Sequence, residues 1–303
     1  MLEHIPVSFR VVEGEEKAVF SQYLLPAAAS LARSGGEDTL TLGAVWGTAA
    51  CGAAVLRLWR SGENAPPEAE LPSFYIDPLV RRRGVGLGLL RFALEQAELA
   101  GAGLFRVRYA AGGEELAALD GLMRKAGLQP EPHLPVYEMH SGDYHDSPLL
   151  RAAFSQEYRR PEHIVPFSAL TERRRDRLYR HPELPDFLHP AGVEGLDPDL
   201  SLVYLRDGDP EGIWLSSSAG KGYYSLMGVW HSSAAPLSCF HELLLAHLNL
   251  CLRHGGGDFR YYVSPSVEFA DRLIRKYTRG GFRRLEEHIA ELRLGDAPKA
   301  TAQ

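Results

Sequence analysis

The sequence predicts an α/β protein made of two similar units in tandem. Three observations carry that expectation. The chain has 303 residues, about twice the length of an ordinary domain. Strand-like and helix-like patterns follow the order β, α, β, β, β, α, β, α, β up to about residue 140, and the same order begins again after residue 160. Direct identity between the halves is slight, so the repeat is one of element order.

Val7 to Val12 reads as a strand, and Glu15 to Ala32 as one or two helices broken near Pro26 and stopped at Arg33-Ser34-Gly35-Gly36. Thr39 to Trp46, a Gly47-Thr48 turn and Ala49 to Trp59 make an antiparallel hairpin. The loop Ser61 to Pro67 leads to a strand over Glu70 to Ile76. After Asp77-Pro78 the period becomes helical from Gly84 to Ala100, with Leu87, Leu90, Leu94 and Ala97 along one face. Leu104 to Tyr109 is a strand, Glu114 to Ala126 a helix stopped by Gly127, and Leu134 to His140 a last strand. The polar, Gly- and Pro-containing stretch Ser141 to Pro148 reads as a linker, which divides the chain into domains 1–143 and 150–303 joined by 144–149. The second half then offers a strand His163 to Phe167, a helix Thr171 to Tyr179, and strands Leu200 to Leu205, Gly212 to Ser217 and Tyr223 to Trp230. A helix from about Leu237 to Arg253, a strand Phe259 to Val263, a helix Val267 to Arg279 and a strand Arg284 to Leu294 complete it.

With 45% hydrophobic and 24% charged residues, wholesale disorder is excluded. The net charge of -6, from 33 basic and 39 acidic residues, argues against a general partner for nucleic acid or an anionic membrane. Most of that charge lies in the first 143 residues, with 13 basic against 18 acidic, which suits an amine-bearing acceptor. Cys51, Cys239 and Cys251 fit neither a disulfide framework nor a zinc motif, so a reducing cytoplasm is expected. The start, Met1 to Pro6, lacks the basic and apolar regions of a signal peptide. The apolar stretch Leu243 to Leu252 is broken by His247 and Asn249 and is too short for a bilayer.

The sharpest feature is Phe74-Tyr75-Ile76-Asp77-Pro78-Leu79-Val80-Arg81-Arg82-Arg83-Gly84-Val85-Gly86-Leu87-Gly88, a strand that passes through a basic, glycine-rich turn into a helix. A helix N-terminus presents unpaired N–H groups and the positive end of its dipole, and glycine lets an anion approach the backbone. The pattern therefore suits a phosphate. It is neither GxxxxGK[ST] nor GxGxxG, and the strand before it follows a meander rather than opening a dinucleotide-binding unit.

Arg81-x-x-Gly84-x-Gly86, set in this element order, resembles the GNAT superfamily of acyl-CoA-dependent N-acetyltransferases. The resemblance covers residues 7 to 140. It implies tandem GNAT-like domains, each a mixed, mostly antiparallel sheet flanked by helices, and acetyl-CoA as cosubstrate without a metal. It also implies that Arg81, Arg82, Arg83, Gly84, Val85 and Gly86 hold the CoA pyrophosphate, while Tyr75 and Ile76 pair with the pantetheine as an added strand would. By the same analogy Glu70 is the carboxylate placed to deprotonate the amine.

Many members of that family carry a Tyr four residues before the Gly-Phe that ends the last helix, where it protonates the departing thiolate. Here Gly127-Leu128 puts Met123 at that place, which has no proton to donate. Tyr109, at the end of the neighbouring strand, is the substitute. The second half shows the reverse. Tyr277-Thr278-Arg279-Gly280-Gly281-Phe282 reproduces the Tyr ending, but Trp230 to Ser238 has no Arg-x-x-Gly-x-Gly, so this half reads as a degenerate GNAT-like domain with Tyr277 a packing relic.

His247, Cys251 and His254 share one helix face with Phe240 and Leu244, which marks a buried face rather than a metal site, and His140, Asp143, His145 and Asp146 read as a solvated loop. Two readings lead, ahead of a purely structural tandem fold in which neither half binds CoA, against which the basic glycine turn speaks. One is an N-acetyltransferase that passes an acetyl group directly to a small-molecule or peptide amine, as a monomer or a homodimer. The other is a non-catalytic acyl-CoA-binding or regulatory protein, for which Met123 speaks.

Overall fold

The computed structural model describes all residues except 1–5, 25, 35, 37, 61, 63–64, 146, 190–194, 264–274, 278–280 and 296–303. Along the chain come β1 (Val7–Val11), α1 (Lys17–Phe20), α2 (Pro26–Ser34), β2 (Thr39–Trp46), β3 (Ala49–Trp59), β4 (Glu68–Ile76), α3 (Val85–Leu99), β5 (Leu104–Ala111), α4 (Gly113–Lys125) and β6 (Gln129–His140). A short α5 (Ser141–His145) precedes β7 (Ile164–Pro166), α6 (Glu172–Tyr179), β8 (Leu202–Arg206), β9 (Asp209–Gly220), β10 (Tyr223–His231), α7 (Cys239–Gly255), β11 (Arg260–Val263) and β12 (Arg283–Arg293). The expected repeat of an α/β unit is present. The helix expected over Val267 to Arg279 falls mostly outside the described residues, of which 275–277 are helical.

Contacts divide the chain into two compact units, Met1–Leu134 with Glu286–Gln303, and Pro135–Leu285. In the first, β1 to β4 are antiparallel neighbours in chain order, β5 runs parallel to β4, and β12 lies antiparallel on the other side of β5. The small apolar residues of β2 and β3 are buried on both faces. Leu42, Ala44, Leu56 and Phe105 pack with Leu89, Leu90, Ala93 and Leu94 of α3. Val45, Ala53 and Val55 pack with Phe20 of α1 and Ala28, Ala29 and Ala32 of α2. Each large aliphatic side chain so buried contributes about 1.5–3 kcal/mol. α4 carries Glu114 and Glu115 in its first turn and Arg124 and Lys125 in its last, matching the helix dipole, and stops as expected at Gly127, whose φ is 92°.

In the second unit β7, β8, β9 and β10 are antiparallel neighbours, β11 runs parallel to β10, and residues 137–140 of β6 lie antiparallel to β11. Leu243, Leu244, Leu248 and Cys251 of α7 are buried in one core cluster, with His247 buried on the same helix, while Leu178 of α6 lies in another with Val203, Ile213 and Leu215.

These contacts differ from a division at 143 and 150 in two ways. The stretch from Ser141 is not a bare linker: Asp143 accepts a bond from the His140 backbone N–H at 2.8 Å, and Tyr144 is buried. The C-terminal strand groups with the first unit, because β5 has a free edge that β12 fills over eight residues, Glu286 to Arg293 against Ala111 to Leu104. Hydrophobic periodicity sets which face of a strand is buried and carries no information about which edge it joins.

Candidate active site

β4 and β5 pair only through Glu68, Ala69 and Glu70 opposite Leu104, Phe105 and Arg106, and then part. The cause lies in β4. On its β3 side, Glu70 faces Arg57 and Ser73 faces Val55, so Leu71 and Pro72 together oppose one residue of β3. This is a β-bulge, and Pro72 has no N–H to give a ladder. Beyond it β4 stays paired with β3 to Ile76, and β5 with β12 to Ala111, while among the described residues the two edges facing each other carry no partner strand. An extended ligand with amide groups can add there as a strand would. Pro72 is the sequence signal for this, since a proline inside a strand marks a bulge or an edge.

β4 leads directly into the glycine-rich turn. Asp77 accepts a bond from the Leu79 N–H at 2.9 Å and caps the turn Pro78–Val80. Arg82 and Gly84 both have positive φ, 60° and 82°, a backbone alternation that makes an anion-binding nest. Gly84 caps α3 with no side-chain bond, and the first helical bond runs from the Gly88 N–H to the Gly84 carbonyl, so the amides of Val85, Gly86 and Leu87 are left for a ligand.

The three arginines differ. Arg81 Nε donates to the Ile76 carbonyl at 2.9 Å, and its guanidinium lies 5.3 Å from the Tyr75 ring, which stacks on Tyr23 at 6.0 Å. Arg81 therefore clamps the turn to the end of β4, and the Ile76 carbonyl is already engaged. Arg83 lies 5.0 Å over the Trp46 ring, and Arg82 is exposed. The three glycines differ too. Gly84 is needed for its φ. A Cβ on Gly86 would make ordinary contacts of 3.7–3.9 Å with Ile76, Phe74 and Leu122, whereas one on Gly88 would collide with the Phe9 ring. Gly88 thus serves helix packing.

Glu70 stands at the last paired position before the strands part, with Arg57 and Arg106 at the cross-strand positions on either side. Arg106 is engaged by Glu291 at 2.6 Å and Glu68 at 3.8 Å. Tyr109 lies beyond the parting, and its hydroxyl donates to Asp120 Oδ1 of α4 at 2.8 Å. Burial, then that carboxylate, push the phenol well above its ordinary pKa, so Tyr109 is a weaker acid here than a free tyrosine. Asp120 is buried and also meets Arg124 at 3.3 Å and His288 Nδ1 at 2.9 Å. His288 comes from β12 and faces Tyr109 in register, a partner 168 residues from Asp120 that no local pattern reveals. Met123, one turn after Asp120, is buried. The structure so brings Tyr75, the 81–86 turn and α3 together at one end of the parted strands, Glu70 at the other, and Tyr109 within the parted stretch of β5.

In the second unit β10 and β11 also pair over four residues, Tyr223 to Leu226 with Arg260 to Val263, but the turn before α7 is closed. Glu183 accepts bonds from the Ser233 N–H and hydroxyl, both at 2.7 Å, and Glu211 accepts one from the Ser232 hydroxyl. A carboxylate already sits on the amide there. Tyr277 is buried against Phe240 and His241, while the rest of its motif through Gly280 lies outside the described residues. His247 is fully buried: Nδ1 meets the Leu200 carbonyl at 3.0 Å and Nε2 meets Cys251 at 3.2 Å and Ser216 at 3.4 Å, as a core histidine would. Among the described residues no group of three or more metal-ligating side chains occurs, and no helix is long and apolar enough to cross a membrane.

Residues 9–123 match the model of the acetyltransferase (GNAT) family. No curated protein matches the chain significantly. Among solved structures, a tandem GNAT protein from the clavulanic acid biosynthesis pathway is similar at 15% identity and TM-score 0.62, over 94% of this chain and 98% of that one. A GCN5-related N-acetyltransferase from Sphaerobacter thermophilus is similar at 18% identity and TM-score 0.51, over 95% and 96%. A glucosamine N-acetyltransferase region of a fungal multi-domain GH3 β-N-acetylglucosaminidase is similar at 14% identity and TM-score 0.54, over 96% of this chain and 38% of that one. At such identities the likeness is one of fold: two GNAT-like domains in tandem.

Proposed function

From residues 9–123, which match the acetyltransferase (GNAT) family model, and a tandem GNAT-like fold, we propose an acyl-CoA-dependent N-acetyltransferase that passes an acetyl group from acetyl-CoA directly to a primary amine. The observation that carries the reading is the parting of β4 and β5 at the Leu71–Pro72 bulge, next to an uncapped helix N-terminus. The free edge suits a pantetheine, and the amides of Val85 to Leu87 with exposed Arg82 suit a pyrophosphate. Acetyl-CoA supplies an activated acyl group. The chain supplies orientation of thioester and amine, and backbone N–H groups on the parted edges that can polarise a carbonyl. Glu70, at the mouth of the gap, takes the amine proton directly or through water. A thiol of pKa about 8.5 is a fair leaving group, so its protonation need not lead. We place the protein in the cytoplasm, in keeping with three free, buried thiols.

Met123, together with a Tyr109 hydroxyl already committed to Asp120, favours a second reading, a non-catalytic acyl-CoA-binding protein. Release of free CoA in steady state with a panel of amines, beside calorimetric binding of CoA, separates the two. Amine-dependent release supports the enzyme; tight binding without release supports the second reading.

A further inference from the structure

Three groups meet on Asp120: Tyr109 from β5 and His288 from β12 on Oδ1, at 2.8 and 2.9 Å, and Arg124 from the next turn of α4 on Oδ2 at 3.3 Å. Asp120 and His288 are more than nine-tenths buried, and His288 Nε2 is a buried nitrogen with no partner among the described residues. A buried polar atom left bare has a cost that packing alone does not explain, since an apolar side chain would fill the place without it. With Nδ1–H given to the carboxylate, the bare Nε2 is a lone pair. Tyr109 faces the same ring at 6.0 Å.

Building on the acyltransferase reading, we propose that His288 is a positioning residue for Tyr109 and acts through Asp120. Unshared, the Asp120 carboxylate would hold the phenol proton as tightly as it can. His288 and Arg124 each take up part of its acceptor capacity, which loosens that hold and lets the single Tyr109 O–H turn from Asp120 toward the gap where β5 has parted from β4. A proton on His288 strengthens the effect, so its charge state sets how readily Tyr109 can give a hydrogen bond to a departing thiolate. The charged residues next to this pair along the two strands are Arg108 on β5 and Glu286 and Glu287 on β12, the last 3.8 Å from His133.

The test has one arm that needs no turnover. The His288 ring nitrogen shifts, followed by NMR, are expected to report an Nδ1-protonated tautomer in the wild type, to lose it in Asp120→Asn and to move in Tyr109→Phe, where the carboxylate has one claimant fewer. Ring shifts indifferent to both changes overturn the proposal. In turnover, His288→Ala is expected to lose about tenfold in kcat with the acyl-CoA KM unchanged. His288→Asn, which keeps a donor near the Nδ1 position, should recover most of the rate but lose the wild-type pH inflection. A folded His288→Ala with full kcat, or a His288→Asn with the wild-type pH profile, also overturns it. A wild-type protein that releases no CoA with any amine overturns the acyltransferase reading instead, and the NMR arm still decides whether the three residues are coupled.

Discussion

At the scale of the residue, the glycine turn separates three roles that look alike in sequence. Because a Cβ on Gly86 meets only ordinary contacts, Gly86→Asp should fold and put a carboxylate where an anion would bind. The expected result is a loss of at least tenfold in CoA affinity by calorimetry, about 1.4 kcal/mol or more. Unchanged affinity would remove the cradle assignment. Gly88→Ala should do the opposite: the Phe9 ring must move, at about 1–2 kcal/mol of stability read by thermal melting, with CoA affinity kept. For Glu70 the check is pH. If it takes the amine proton, the defect of Glu70→Gln should shrink as rising pH deprotonates the amine unaided, and a constant defect would mark a positioning role instead. The motif Arg81 to Gly86 was legible because phosphate binding at a helix start needs few residues close in sequence. That Arg81 and Arg83 are held over Tyr75 and Trp46 was not, since those rings come from β4 and β2 and meet the turn only on folding.

At the scale of the element, burial in α7 makes a pH-dependent contribution. Desolvation holds the His247 imidazole down at about 4, while an unfolded chain has it near 6.5. As pH falls the unfolded chain binds the proton first, so this stability is full above about 6.5 and is lost on the way down to about 4. The upper bound is about 3 kcal/mol. The melting temperature should fall more steeply from pH 7 to pH 5 in the wild type than in His247→Gln, and parallel curves would refute the assignment. The helix face that buries His247 was legible from its period; the bulge in β4 was less so, because Pro72 announces an irregularity without saying that the next strand departs. The closed turn before α7 was half legible. The missing glycines told against a phosphate, but Glu183 lies 50 residues before Ser233. With that carboxylate on the amide, calorimetry should find one CoA per chain, and two equivalent sites would mean that Glu183 gives way.

At the scale of the molecule, the repeated element order gave the tandem fold, because each unit must cover both faces of its own sheet and periodicity records which faces those are. Membership of the last strand was hidden for the complementary reason: edge pairing depends on backbone groups that every residue carries. The consequence is that the candidate active site of the first unit depends on the far end of the chain, through Ala290, which is fully buried opposite Val107, and through Glu291 and His288. Ala290→Asp places a charge in the core beside β5, where an unpaired carboxylate has no partner and typically costs several kcal/mol. Hydrogen exchange should then show lost protection first in β5 and α3, with CoA affinity falling alongside, while β8 and β9 keep theirs. A colinear arrangement requires the reverse order, with β8 to β11 opening first and the CoA site intact. Through the β5 register Ala290 lies one strand away from Val107 and Tyr109, and it is that distance which the exchange pattern reads.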